Sequence, residues 1–127
     1  MRYLVAVLSL VAALSAAAQA VIPPTEAFNA WVTTRNGTSA LRLALAPGHA
    51  IYRDRLSVTT MDGRSVVAAL PPGVVHEDPN LGRQRLLLDA TSVPLVSLPV
   101  GAQLTVRMLG CKIDEYCYPP MTLVVTR

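Results

Sequence analysis

Hydrophobic and polar residues alternate in short runs along the chain after residue 20, and turn residues separate the runs. Phe28, Ala30 and Val32 alternate with Asn29, Trp31 and Thr33, and Leu41, Leu43 and Leu45 alternate with Arg42 and Ala44. Between these runs stands Asn36-Gly37, a pair that tolerates positive φ at both central positions of a two-residue hairpin turn. The pattern predicts a hairpin there, and Asn36-Gly37-Thr38, which also fits the N-glycosylation sequon, is explained by that turn. Further strands are expected at 55–60, 65–70, 83–89, 103–109 and 121–126, punctuated by Pro47-Gly48, Asp62-Gly63, Pro71-Pro72-Gly73, Pro79-Asn80 and Pro99-Val100-Gly101. Residues 91–99 contain two prolines and irregular apolar positions, so they read as an edge or a connecting loop. Trp31 and Phe28 are assigned to the core. Short strands at this spacing, with no long helical period, predict an all-β sandwich or barrel.

The first twenty residues break that pattern. Arg2, the apolar run from Tyr3 to Leu14 and the small-residue site Ala18-Gln19-Ala20 read as a secretory signal peptide over 1–20, leaving 21–127 as one domain with one modest core. No later run approaches the length of a membrane span. The formal charge of +3 falls by one when Arg2 is removed, and the remaining basic residues are scattered, which argues against a nucleic-acid partner. Export places the cysteines where disulfides persist.

Those cysteines are Cys111 and Cys117, the only two in the chain. The runs 103–109 and 121–126 flank them, so both belong to a hairpin connection at one end of the sandwich. Tyr118-Pro119-Pro120 holds the chain extended just beyond Cys117. A bridge across so short a loop removes little unfolded-state entropy, about 2.4 kcal/mol against about 4.7 for a hundred-residue loop. Stability alone is therefore a weak reason for it, but the spacing leaves two readings open: an exchanging redox pair or a structural clip. His49 and His76 do not complete a usual zinc spacing with the cysteines, and no metal is expected. Tyr52, Tyr116 and Tyr118 read either as a docking surface or as half-buried strand residues. Asp78, before Pro79-Asn80, reads as a turn-capping carboxylate, or as an anion that would disfavour a nearby thiolate.

Several ordered blocks resemble one family. Gly110-Cys111, five residues, then Cys117-Tyr118-Pro119-Pro120 is the strongest; Pro71 to Asp78 with Gly82 following, Ile51-Tyr52-Arg53 and Ala27-Phe28 support it. Together they resemble the amino-terminal periplasmic domain of the disulfide reductant conductor DsbD. The resemblance implies an immunoglobulin-like β-sandwich that performs thiol-disulfide exchange with thioredoxin-like periplasmic proteins, without a cofactor. It implies that Cys117 forms the mixed disulfide with a partner and that Cys111 resolves it. It also implies a cap loop, 76–82, over the cysteines, with Asp78 and Tyr52 matching site residues. The chain departs from the family where Asn80 and Leu81 stand at two aromatic positions of that loop and Ala50 replaces a site tyrosine. The family's membrane-spanning and carboxy-terminal thioredoxin-like parts are not in the sequence, so a separate membrane electron donor is expected. The competing expectation is a non-catalytic periplasmic binding or assembly module with an inert disulfide.

Overall fold

The computed structural model describes residues 20–127; the expected signal peptide lies almost wholly outside them. A four-residue helix, α1 (Pro24–Ala27), leads into β1 (Phe28–Arg35), which turns through Asn36 and Gly37 into β2 (Thr38–Leu45). The φ values at the turn are 52° and 76°, the left-handed pair that a right-twisted hairpin requires. Then follow β3 (His49–Tyr52), a 3-10 turn at Arg53–Arg55, β4 (Ser57–Thr60), β5 (Val74–Asp78), β6 (Gly82–Leu87) and β7 (Thr91–Pro94). The chain ends with β8 (Gln103–Met108), β9 (Gly110–Lys112), β10 (Tyr116–Cys117) and β11 (Met121–Thr126).

These strands form three sheets, ordered β1-β2-β7, β10-β9-β3-β6-β5 and β11-β8-β4. All three contribute to one core: Phe28, Leu41 and Leu43 come from the first, Ile51 and Leu87 from the second, and Val58, Leu104, Val106 and Met108 from the third. The predicted β1–β2 hairpin and the pairing of β8 with β11 are present, and β7 is an edge strand paired only to β2.

Three expectations need correction. Trp31 is 45% exposed; it shares its face with Asn29 and Thr33, and the period-2 alternation outweighs its bulk. Residues 65–70 form no strand. Their backbone is divided between two sheet edges, with Val66 donating to Val58, Ala68 donating to Pro94 and Val66 accepting from Val96, so neither ladder extends. The expected cap loop is largely a strand, because β5 pairs with β6 from Val74↔Leu86 to Asp78↔Gly82. Only Pro79, Asn80 and Leu81 turn between them.

Candidate functional site

The cysteine hairpin grows out of the main core. Gly110 opens β9, and a Cβ there would lie 2.4 Å from the Phe28 ring. That ring packs edge-on against both Tyr118, at 5.3 Å between centroids, and His49, at 5.7 Å. Only glycine lets β9 cross so close to this aromatic cluster. Tyr118 locks the far side: its amide donates to the Gly110 carbonyl and its hydroxyl donates to the Ile22 carbonyl at 2.7 Å. Burial, more than its contact with Tyr116, pushes the Tyr118 phenol up to about 12. Of the two readings open for it, Tyr118 is thus a buried anchor of the hairpin, not a docking surface.

With Gly110 and Tyr118 hydrogen-bonded, the next residues inward face each other without a hydrogen bond between them, the position where antiparallel strands approach most closely. These residues are Cys111 and Cys117, with Cα atoms 3.9 Å apart and their sulfurs joined. Ala50 of β3 pairs with Cys111 on the other side, so Ala50, Cys111 and Cys117 form one row across three strands. The two cysteines are unequal. Cys111 is 1% exposed, packed in a small cluster with Ala50, Tyr52 and Leu86, whereas Cys117, on the edge strand, is exposed.

This small cluster lies on the face of β3 opposite the main core, which explains why all four residues of β3 are buried. Ile51 points to one core while Ala50 and Tyr52 point to the other. The sheet closes over the second cluster by curling. β10 and β5 are its opposite edges, and five flat strands would hold them about 19 Å apart. Yet His76 of β5 and Asp114, in the turn between β9 and β10, are bonded through Nε2 and Oδ1 at 2.6 Å. Asp114 takes φ 62° to complete that turn, a conformation that Asp tolerates better than most residues.

Asp78 closes the other corner. Its Oδ1 accepts from the amides of Asn80 and Leu81, both at 2.8 Å, and its Oδ2 accepts from the Tyr52 hydroxyl. Of the two sequence readings of Asp78, the turn cap is seen directly in these bonds; for the other, Asp78 and Cys117 line one cavity. The Tyr52 bond, followed by the two amide bonds, holds the Asp78 carboxyl below its ordinary range. Burial and the same carboxylate raise the Tyr52 phenol.

Between the β5–β6 tip and the cysteine hairpin lies a cavity of about 370 Å³, lined by Cys117, Asp78, Asn80, Leu81 and Tyr116 among others. The fold thus gathers Cys117, Asp78, Asn80 and Leu81 around one space, with Tyr52 and Cys111 behind it. Leu81 is 46% exposed, so the tip borders the cavity without sealing it. Sequence reasoning missed three contributors: the His76–Asp114 tie, Arg55 and the Lys112–Glu115 pair at 2.8 Å, of which Arg55, Lys112, Glu115 and Asp114 also line the cavity. Lys112, Asp114 and Glu115 are legible as charges between the two cysteines, but no local pattern would have paired them or grouped them with Arg55 and His76. Among the described residues no cluster of His, Cys, Asp or Glu is placed to hold a metal, and no helix is long and apolar enough to cross a membrane.

A β-sandwich that presents a cross-strand disulfide at the open edge of a curled sheet belongs structurally among the immunoglobulin-like redox domains. The chain is a member of the DsbD amino-terminal family: the profile described as "Thiol:disulfide interchange protein DsbD, N-terminal" matches residues 18–127. It is 33% identical over 106 residues to the DsbD of Cronobacter sakazakii, covering 82% of this chain and 18% of that protein. With the DsbD of Escherichia coli K12 it shares 34% identity over 80 residues, 61% of this chain and 14% of the other. The chain therefore spans less than a fifth of the length of these relatives. The fold is that of the reduced Neisseria meningitidis DsbD amino-terminal domain, with TM-score 0.70 and 21% identity over 84% of this chain and 89% of that one. A second N. meningitidis structure, of the DsbD amino-terminal domain in complex with the PilB amino-terminal domain, aligns with TM-score 0.64 and 22% identity, covering 82% and 84%.

Proposed function

We propose that this domain, exported by cleavage of residues 1–20, is a periplasmic thiol-disulfide exchange module in which Cys117 meets the partner and Cys111 resolves the adduct. The observation that carries the assignment is the unequal setting of one disulfide: Cys117 is exposed beside a cavity while Cys111 is buried against Ala50, Tyr52 and Leu86. An incoming thiolate must approach in line with the bond it breaks, and only the Cys117 sulfur sits on an open edge.

When the domain acts as reductant, the Cys117 thiolate attacks a partner disulfide, and the partner's second sulfur leaves as a thiolate and takes a proton. Cys111, already opposite Cys117 in the ladder, then attacks the Cys117 sulfur. The partner leaves as a dithiol and the Cys111–Cys117 bond is restored. Two electrons and two protons have moved, so a thioredoxin-like partner and a separate membrane donor would complete the cycle, the donor reducing the pair again. Asp78, kept ionised in the lining of this cavity, disfavours the Cys117 thiolate in the free domain. Family membership and the fold shared with the DsbD amino-terminal domain that is seen with the PilB domain support exchange with thioredoxin-like proteins.

The reduction potential of the purified domain tests this against an inert structural bridge. Exchange chemistry predicts a value above about −300 mV, in the range that thioredoxin-like proteins can reach. A markedly lower potential, with no equilibration against a thioredoxin-like protein, would replace the proposal with the structural reading.

A further inference from the structure

The cavity beside Cys117 has room for more than the edge of a protein partner. At about 370 Å³ it falls within the size of small-ligand sites, and an exposed disulfide cysteine forms part of its wall. Its charged residues are unevenly satisfied. Asp78 accepts three hydrogen bonds, Asp114 is tied to His76, and Glu115 is paired with Lys112. Arg55, exposed and lining the same cavity, makes no ion pair among the described residues. A free guanidinium is suited to a carboxylate, which it binds in a bidentate fork. The carboxylates of Asp78, Asp114 and Glu115, which line the same cavity, would repel a simple anion but suit a ligand that also carries an ammonium.

We infer that this cavity is a site for a low-molecular-weight aminothiol that bears a carboxylate, of the cysteine class, which reacts directly with the Cys111–Cys117 pair. Arg55 takes the carboxylate, and the ammonium is attracted by the carboxylates of Asp78, Asp114 and Glu115. The ligand's thiolate attacks the Cys117 sulfur, the bond to Cys111 breaks, and Cys111 leaves as a thiolate that takes a proton. A second aminothiol attacks the ligand sulfur of the mixed disulfide, releasing the small disulfide and leaving Cys117 reduced. Two small thiols are oxidised to one disulfide, and the domain gains the two electrons. The inference rests on the exchange chemistry proposed above but not on a protein partner.

The test compares L-cysteine with L-cysteine methyl ester, which keeps the thiol and ammonium but lacks the carboxylate. Opening of the oxidised domain is followed by alkylation and mass measurement at equal thiolate concentrations. The ratio of the cysteine rate to the ester rate should fall about fivefold in Arg55→Ala and by an intermediate amount in Arg55→Lys, which keeps the charge but not the fork. A ratio that is the same in wild type and Arg55→Ala overturns the site. Exchange of the wild-type domain with a thioredoxin-like protein is measured alongside. Arg55-dependent cysteine selectivity without protein exchange upholds the site and removes the proposed function. Protein exchange with an unchanged ratio does the reverse.

Discussion

The two faces of β3 look onto two different kinds of interior. On one side Ile51 joins a core to which all three sheets contribute, with Leu41, Leu43, Leu104 and Val106 at 0–1% exposure. On the other, four buried residues, Ala50, Tyr52, Leu86 and Cys111, form a cluster with only partly buried neighbours. That cluster is held shut by polar ties, Tyr52 to Asp78 and His76 to Asp114. The first interior supplies the stability that orders the fold. The second supplies little, yet it carries the disulfide. Under the proposed exchange, the contrast would let the bond open and close without unfolding the domain: it is placed where few apolar contacts depend on it, on strands that the larger core holds in register.

Breaking each side should give effects of different size. Leu104→Ala, in the main core, should cost about 2–5 kcal/mol of global stability by leaving a cavity, measured by urea unfolding. Reducing the disulfide should cost less, about 2.4 kcal/mol at most, since its loop is short; a larger loss would mean that the small cluster carries more of the fold than its size implies. Tyr52→Phe, which leaves the Asp78 carboxylate without its hydroxyl donor, should cost about 1 kcal/mol and should speed hydrogen exchange at the amides of Asn80 and Leu81 more than in the main core.

Acid should act on the same corner. The folded-state pKa of Asp78 is depressed, so its contribution is fully present above the ordinary carboxylate value of about 4 and is lost as pH falls through the lower folded value. Urea midpoints at pH 6 and pH 3 should therefore diverge less in Asp78→Asn than in wild type. The smallest expected effect is chemical. In the reduced domain Asp78→Asn should raise the alkylation rate of Cys117 at pH 7 about threefold, by relieving repulsion of the thiolate. An unchanged rate would separate Asp78 from the chemistry and leave it as a turn cap.

Most of the larger interior was legible in the sequence, because strands with one buried face alternate. Phe28, Ala30 and Val32 against Asn29, Trp31 and Thr33 gave β1, and a strict reading of that alternation would also have put Trp31 on the outside. The smaller interior was harder to read for physical reasons. β3 is buried on both faces and shows no alternation in His49-Ala50-Ile51-Tyr52. β5 is an edge strand with its polar residues His76, Glu77 and Asp78 outward or at the rim, so it resembles a loop. Residues 65–70 alternate but serve two sheets singly. The cysteine pair and the Asp78 turn were visible in the sequence. The curl that brings His76 of β5 to Asp114 of the cysteine hairpin, and the approach of Arg55 to the same cavity, were not, because both depend on segments distant in sequence meeting in space.

The central claim is that the disulfide has an outward and an inward half. Trapping with a thioredoxin-like protein whose own resolving cysteine is removed, and whose remaining cysteine is activated as a mixed disulfide with 5-thio-2-nitrobenzoate that leaves as the free thiolate, tests it most directly. Cys111→Ser, which keeps the exposed Cys117, should accumulate a mixed disulfide through Cys117, whereas Cys117→Ser should yield little or none. Equal trapping by the two variants, or an adduct only through Cys111, would contradict the account.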